Sequence, residues 1–292
     1  MGEWNGQRSE TLYNVPNWGA GFFSVNAAGH AQVRPDGLPD EPHDGLPDGL
    51  PDGLPSGLPD GAPDGPCGAG EAQAPAIDLC ELIGQIRRRG VATPLLLRFD
   101  GVLRSRVRQI HRAFDRAREE FDYPAPYRGV YPLKVNQERW VVSALLEEGR
   151  SHGMGLEVGS KPELIAGVAL QAGEDSLLVC NGYKDLEYVE LALLSSQLGI
   201  TTLIVIEKAT ELETILEAAA RLNVRPRLGV RVKLSARGSG RWQESGGDRS
   251  KFGLTAREIV GLVEKLRAHE MLDCLELLHF HVGSQISHIL TL

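Results

Sequence analysis

The chain has 292 residues, 42% of them hydrophobic, and a formal net charge of -8 with acidic and basic residues interspersed. A chain of this length can bury at least one sizeable core. Because the dispersed negative charge offers no surface for a polyanion, we expect no nucleic-acid partner. The four cysteines are widely separated, without CxxC or Cys/His metal-ligand spacing. This pattern is typical of a reducing compartment and argues against a structural zinc.

The apolar runs are all too short to cross a bilayer, and the N-terminus has no basic region followed by an apolar one. We therefore expect a soluble cytoplasmic protein with no membrane partner.

Residues 1–35 carry several aromatic side chains among glycines and asparagines, which indicates an N-terminal segment that packs on the domain following it. Seven tetrads of the GLPD type follow over residues 37–64. Because each tetrad contains a proline and nearly all contain a glycine, neither a helix nor a strand ladder can run through them. We predict a disordered linker over residues 36–70.

Residues 71–125 are predicted to form a leading helix–strand–helix segment. The expected helix covers residues 77–89, and a buried strand covers residues 93–99. A second helix is indicated by apolar residues spaced four and three apart, namely Leu103, Val107, Ile110, Phe114 and Ala117.

Residues 126–292 alternate between short apolar runs and helical patterns. Strands are predicted over residues 129–135, 153–158, 176–180, 202–206, 227–232 and 274–281. Helices are predicted over residues 140–148, 161–172, 186–197, 210–222 and 256–269, with a polar loop over residues 235–250. Two helix starts have the S/T-x-x-E form of a capping box, Ser160 to Glu163 and Thr255 to Glu258.

This alternation predicts βαβ units and a parallel sheet, either doubly wound or a (β/α)8 barrel. No GxGxxG follows the first strand, which counts against a dinucleotide-binding fold. In either architecture, chemistry gathers at the carboxyl ends of the strands.

Polar residues follow the predicted strands at those ends. The first strand ends at Lys134, the second at Glu157 and the third runs into Asn181–Lys184, while the fifth presents Arg231 and the sixth runs into His279–Gln285. A sheet with only a structural role has no need of this succession. Each residue alone has a simpler explanation, since a strand-end lysine is usually a surface residue.

The same caution applies to the neighbouring positions. Glu163 is explained as the capping partner of Ser160, and His279 as a structural residue. Gly283-Ser284 is either an ordinary turn or a turn whose backbone N–H groups bind an anion.

Four motifs in this order and spacing, YPLKVNQ, GLEVGSKPEL, VCNGYKD and HFHVGSQI, closely resemble the biosynthetic arginine decarboxylases. The leader YNVPNWGAGFFSVNAAGHAQVRP and the segment TPLLLRF resemble that family's N-terminal region. The resemblance implies an α/β fold, namely the (β/α)8 TIM-like barrel of the enzymes that depend on pyridoxal 5'-phosphate (PLP) and belong to fold type III. About six barrel strands lie in this chain, over residues 126–292.

The resemblance also implies that Lys134 forms the Schiff base with pyridoxal 5'-phosphate, that His281 stacks on the cofactor ring and that Ser284 contacts its phosphate. Glu157 and Arg231 match positions that line the cofactor pocket. The implied reaction converts L-arginine to agmatine and carbon dioxide, the first step of a route to polyamines. Mg2+ is associated with the family, although no ligand cluster in the sequence is assignable to it.

The resemblance places the last two barrel strands and a C-terminal β domain beyond residue 292, and it implies a homodimer or higher homo-oligomer for the full-length enzyme. We therefore expect this chain alone to be inactive. The alternatives are a decarboxylase of diaminopimelate, ornithine or lysine, and a non-catalytic pyridoxal-phosphate-binding or regulatory homologue.

Overall fold

The computed structural model describes residues 5–35, 76–171, 176–234 and 250–282. It divides into two compact units, Met1–Arg106 and Val107–Leu292. Most of the polar loop predicted over residues 235–250 lies outside the described residues, as do the predicted linker over residues 36–70 and Ser284.

The first unit contains a three-stranded antiparallel sheet in the order β1-β2-β3. Its elements are α1 (Gly6–Leu12), α2 (Val15–Gly19), β1 (Phe23–Val25), β2 (Ala31–Val33), β3 (Ile77–Asp78) and α3 (Leu79–Arg88). Phe22 and Val33 are buried in this unit, and the Arg106 guanidinium lies 4.8 Å from the centre of the Phe22 ring. The N-terminal aromatic segment is thus folded.

Two elements of the first unit differ from the sequence prediction. The helix predicted from residue 77 begins at Leu79, because Ile77 and Asp78 pair with β2 and Asp78 caps the helix through the Glu81 N–H. The buried strand predicted over residues 93–99 is wrong. That segment has no regular structure, and Leu96 is 76% exposed. Apolar content alone indicated a strand, but no described strand pairs with it.

Helix α4 (Asp100–Glu120) runs from the first unit into the second, as its apolar spacing predicts. Val107 on the predicted stripe is buried, whereas Ile110 and Phe114 are about half exposed. Phe114 stacks on Tyr127 with ring centres 3.8 Å apart.

The second unit is built on a six-stranded, entirely parallel sheet in the order β4-β5-β6-β7-β8-β9. The strands are β4 (Val130–Pro132), β5 (Gly155–Val158), β6 (Leu177–Cys180), β7 (Thr201–Ile206), β8 (Arg227–Val232) and β9 (Leu275–Phe280). The helices between them are α5 (Arg139–Gly149), α6 (Lys161–Leu170), α7 (Leu186–Ser196), α8 (Glu211–Leu222) and α9 (Ala256–Ala268).

Every element predicted for this unit over the described residues is present. The strand order distinguishes the two architectures left open by the sequence. A doubly wound sheet reverses its strand order part-way, whereas a barrel keeps neighbours in chain order. The unbroken order from β4 to β9 is therefore that of an incomplete β/α barrel, which confirms the predicted fold class.

The two faces of the sheet have different partners. Leu156, Leu178, Ile204 and Leu228 belong to a large core that also contains residues of the surrounding helices. Side chains that alternate with them, including Leu177, Val179 and Val205, form a second cluster on the opposite face. This opposite face is the inner face of the barrel.

Within the part of the chain that the structure describes, every helix is too short or too polar to cross a membrane.

Candidate active site

The carboxyl ends of the strands bring six polar residues to the inner face of the barrel. Each comes from a different strand or from the turn directly after it, namely Lys134, Glu157, Asn181, Glu207, Arg231 and His279. The strand residues that precede them, such as Leu133, Leu156, Cys180, Ile206 and Val230, face the helices. Alternation of side chains therefore turns the polar residues inward. We call these six residues the polar ring.

One half of the polar ring is organised around the carboxylate of Glu157. Its Oε1 accepts a hydrogen bond from Nδ2 of Asn181 at 2.9 Å and lies 3.4 Å from the amine of Lys134. Glu157 is buried, but the Lys134 side chain is 64% exposed. An amine at an open barrel mouth can be reached by a ligand, while the carboxylate beneath it orients it.

The other half is a buried ion pair. Nη1 of Arg231 donates to Oε1 of Glu207 at 2.7 Å, with 1% of the Glu207 side chain exposed. The guanidinium also lies 5.5 Å from the centre of the Phe252 ring. An arginine held in this way presents a fixed positive charge at the mouth of the barrel.

His279 and His281 lie at the carboxyl end of β9, beside Arg231. His279 is opposite Arg231 in the parallel register. Burial lowers the pKa of His279, Arg231 lowers it further, and Glu207 opposes both. Desolvation likewise lowers the pKa of His281, an exposed residue, and the charges of Arg231 and Lys134 add to that effect. Both shifts favour the neutral imidazole.

The structure therefore brings four of the five predicted site residues to one end of the barrel. Lys134 and Glu157 are in contact, and the charges of Lys134 and Arg231 both act on His281. Arg231 pairs with Glu207, which directly follows β7. Ser284, the predicted phosphate contact, lies outside the described residues.

Glu207 was not singled out by the sequence, and the role of Asn181 was not foreseen. Glu207 follows β7 directly and precedes Lys208, a pattern that resembles a surface turn. The available signal was its register, since it is two positions beyond the inward-facing Val205.

The two predicted capping boxes have different outcomes. The Thr255 box is confirmed, with reciprocal hydrogen bonds between Thr255 and Glu258. The Ser160 box is wrong: the Ser160 side chain makes no capping hydrogen bond, and Oε2 of Glu163 accepts from the Gly159 N–H at 2.7 Å. Glu163 thus stabilises the turn after Glu157 through the backbone N–H of Gly159, and not through that of Ser160 as predicted.

A parallel sheet with an accessible lysine amine and ionisable groups at its strand ends has the architecture of the β/α-barrel class, in which functional sites lie at the carboxyl ends of the strands. Residues 107–292 match the family model described as "Pyridoxal-dependent decarboxylase, pyridoxal binding domain". The chain belongs to this family of pyridoxal-dependent decarboxylases.

Two curated relatives, both named "Biosynthetic arginine decarboxylase", are similar over almost the whole chain. The protein from Nostoc is 43% identical over 98% of this chain and 37% of its own length. The one from Gloeobacter violaceus is 44% identical over 99% of this chain and 40% of its own length. The chain thus spans about two fifths of the curated relatives it matches.

Solved structures agree on the fold. The biosynthetic arginine decarboxylase SpeA from Campylobacter jejuni superposes with a TM-score of 0.72 at 28% identity, covering 96% of this chain and 38% of that one. A diaminopimelate decarboxylase from M. jannaschii has a TM-score of 0.55 at 22% identity, covering 74% of this chain and 46% of that one. The second likeness concerns the fold alone.

The residues at the barrel mouth fit pyridoxal phosphate, an anionic group with a polar aromatic ring. Lys134 and Arg231 supply positive charge, and the Lys134 amine is accessible. Four buried polar atoms of the ring have no partner among the residues that the structure describes, namely Oε2 of Glu157, Oδ1 of Asn181, Oε2 of Glu207 and Nδ1 of His279. Buried polar atoms are normally paired, so this end of the barrel is built to receive a polar group.

The fit to Mg2+ is different. Among the described residues, the one cluster of three potential metal ligands is His30, Asp78 and Cys80. Mg2+ takes oxygen ligands, and this cluster offers one carboxylate. That carboxylate already accepts from His30, Asn26 and the Glu81 N–H. The cluster does not fit Mg2+.

Proposed function

We propose that this chain is the pyridoxal-phosphate-binding part of an arginine decarboxylase that converts L-arginine to agmatine and carbon dioxide. The observation that carries the proposal is the accessible Lys134 amine, 3.4 Å from the buried Glu157 carboxylate. Identity of 43–44% to relatives named as biosynthetic arginine decarboxylases supports the choice of substrate. The product is the precursor of one route to polyamines.

In this proposal Lys134 holds pyridoxal phosphate covalently through Nζ, which has to lose a proton before it can attack an aldehyde. Glu157 orients that amine and is itself fixed by Asn181. When bound, the cofactor supplies a sink for the electrons left behind by departing carbon dioxide.

The remaining predicted residues have supporting roles. His281 would stack on the cofactor ring, and its lowered pKa favours the neutral imidazole. Arg231 would supply positive charge toward the anionic cofactor, with Glu207 restraining its guanidinium. Ser284 would contact the phosphate. The full-length protein acts in the cytoplasm as a homodimer or higher homo-oligomer.

Reductive trapping tests the cofactor site. The full chain is incubated with pyridoxal phosphate and borohydride, and the modified lysine is located by mass spectrometry. We expect a pyridoxyl adduct on Lys134 that Lys134→Ala abolishes. Lys161→Ala is the matched control, because this lysine is also partly exposed but pairs with Asp185 and Glu187 instead of Glu157. Equal labelling of both lysines contradicts the proposal.

Labelled amino acids test the substrate in the full-length protein. Release of carbon dioxide from carboxyl-labelled arginine is expected to exceed release from diaminopimelate, ornithine or lysine. Faster release from any of those three amino acids overturns the assignment of arginine while leaving the cofactor site intact.

A further inference from the structure

One buried lysine, Lys184, lies in the segment after β6 and has no role in the proposed function. The Lys184 side chain is 0% exposed, and its amine donates to the Gly182 carbonyl at 2.7 Å and to Oε2 of Glu211 at 3.4 Å. Burial lowers the pKa of Lys184, and the charges of Glu211 and Glu207 oppose that effect. A buried amine is costly unless it is paired, so its location calls for an explanation.

The contact with Gly182 connects Lys184 to the first half of the polar ring. Gly182 follows Asn181, whose side chain donates to Glu157 below the Lys134 amine. The Asn181 N–H also donates to the Val158 carbonyl at 2.8 Å. Holding the Gly182 carbonyl therefore fixes the turn that aims Asn181 at Glu157.

The contact with Glu211 connects Lys184 to the second half. The same Oε2 of Glu211 accepts from the Glu207 N–H at 2.8 Å. Glu207 in turn accepts from the Arg231 guanidinium. Holding the Glu211 carboxylate therefore fixes the turn that aims Glu207 at Arg231.

We propose that Lys184 is a positioning residue that joins the two halves of the polar ring, through Gly182 on one side and Glu211 on the other. The inference rests on the proposed function, because it assigns Lys184 to the cofactor site. A role in stability alone is a weaker explanation, since buried ion pairs are often replaceable by neutral side chains without loss of stability.

The test uses the double variant Lys184→Met/Glu211→Gln in the full chain. Methionine fills the volume without charge, and glutamine keeps an oxygen acceptor for the Glu207 N–H. No buried charge of this pair is left unpaired, so unfolding in urea is expected near that of the unmodified chain. The matched control, Lys265→Met/Glu213→Gln, makes the same changes in an exposed ion pair between α9 and α8.

Amide hydrogen exchange is the measurement that distinguishes a positioning role of Lys184 from a role in stability alone. The Leu133 N–H donates to the Glu157 carbonyl, and the Leu254 N–H donates to the Arg231 carbonyl. Lys184 makes no hydrogen bond or ion pair with either of these amides. If Lys184 positions both halves, exchange at both amides rises about tenfold through local opening, with unchanged global stability. Unaltered exchange at both amides overturns the proposal.

Reductive trapping of pyridoxal phosphate at Lys134 tests the consequence for cofactor binding. We expect the trapping rate to fall about tenfold in the double variant. An equal trapping rate contradicts the inference. If the unmodified chain takes up no cofactor, the proposed function fails, and the exchange rates still decide the role of Lys184.

Should the double variant not fold, Glu211→Gln alone keeps the amine and its Gly182 contact. We then expect faster exchange at Leu254 and little change at Leu133. No change at Leu254 counts against the proposal.

Discussion

The amine of Lys134, just beyond β4, and Oε1 of Glu157 on β5 lie 3.4 Å apart. The same oxygen accepts from Asn181, so the carboxylate is fixed from one side while it faces the lysine on the other. The Glu157 carboxylate therefore orients the Lys134 amine and leaves it accessible to a ligand.

Glu157→Gln tests this relationship. Glutamine retains an acceptor for Asn181 but removes the charge that faces Lys134. We expect reductive trapping of pyridoxal phosphate at Lys134 to slow about tenfold, because the amine is less well oriented. Glu163→Gln is the control, since Glu163 is bonded to the Gly159 N–H and not to Lys134. Equal slowing in both variants would show a general effect of the turn after β5.

Arg231→Met tests the buried ion pair with Glu207. The variant leaves a carboxylate that is 1% exposed without its partner, which is expected to cost about 3–5 kcal/mol of unfolding free energy in urea. Arg227→Met on the same strand breaks an exposed pair with Glu276 and is expected to cost at most about 1 kcal/mol. Similar costs would mean that Glu207 finds another partner.

Gly182→Ala tests the close approach of two turns at the strand ends. Gly182 has a φ of +78°, and an added Cβ would clash with the Gly159 carbonyl oxygen. Gly199 has a φ of +83° with open space around it. Gly199→Ala is expected to cost about 1–2 kcal/mol for the left-handed backbone alone. Urea unfolding should show at least about 1 kcal/mol more for Gly182→Ala, because its clash is with backbone. Equal costs would argue against the contact.

Thr255→Ala and Ser160→Ala distinguish the two capping motifs. The Thr255 hydroxyl accepts from the Glu258 N–H, so its loss is expected to cost about 1 kcal/mol in thermal or urea unfolding. Ser160 provides no capping bond, so its replacement is expected to change stability by less than about 0.5 kcal/mol. A larger effect at Ser160 than at Thr255 would restore the sequence prediction.

His279 gives the pH dependence of stability. Its pKa in the folded chain is lowered from 6.5 by burial and Arg231, so the unfolded chain binds the proton more readily. The unfolding free energy is therefore highest above pH 6.5. It declines as the pH falls below 6.5, because the unfolded chain then takes up the proton more readily than the folded chain. His279→Gln should flatten this decline in unfolding free energy. His281 also has a lowered pKa, so the double variant is expected to be flatter still. An unchanged profile would exclude both rings as its source.

The barrel could be predicted from the sequence to a large extent, and the polar ring only in part. Helix and strand periods are local properties, and the elements of the second unit followed them. The contacts of Glu207 depend on the register of β7 against β8, which a single strand does not reveal. The strand predicted around Leu96 was wrong for a related reason, since an apolar run forms a strand only where a neighbouring strand pairs with it.

Lys134 was visible because it belongs to a succession of polar strand ends and to the YPLKVNQ motif. The role of Lys184 was not, since the VCNGYKD motif does not show that this side chain is buried against Glu211. The sequence thus revealed residues that carry chemistry more readily than those that hold them in place.

The unbroken strand order also determines how the site comes into being during folding. The hydrogen bonds of the polar ring join residues only 23 or 24 positions apart, at the ends of successive strands. Short separations close quickly, because little chain entropy is lost in each loop. The polar ring can therefore assemble strand by strand as the polypeptide emerges, each new strand aligning its polar residue against one already in place.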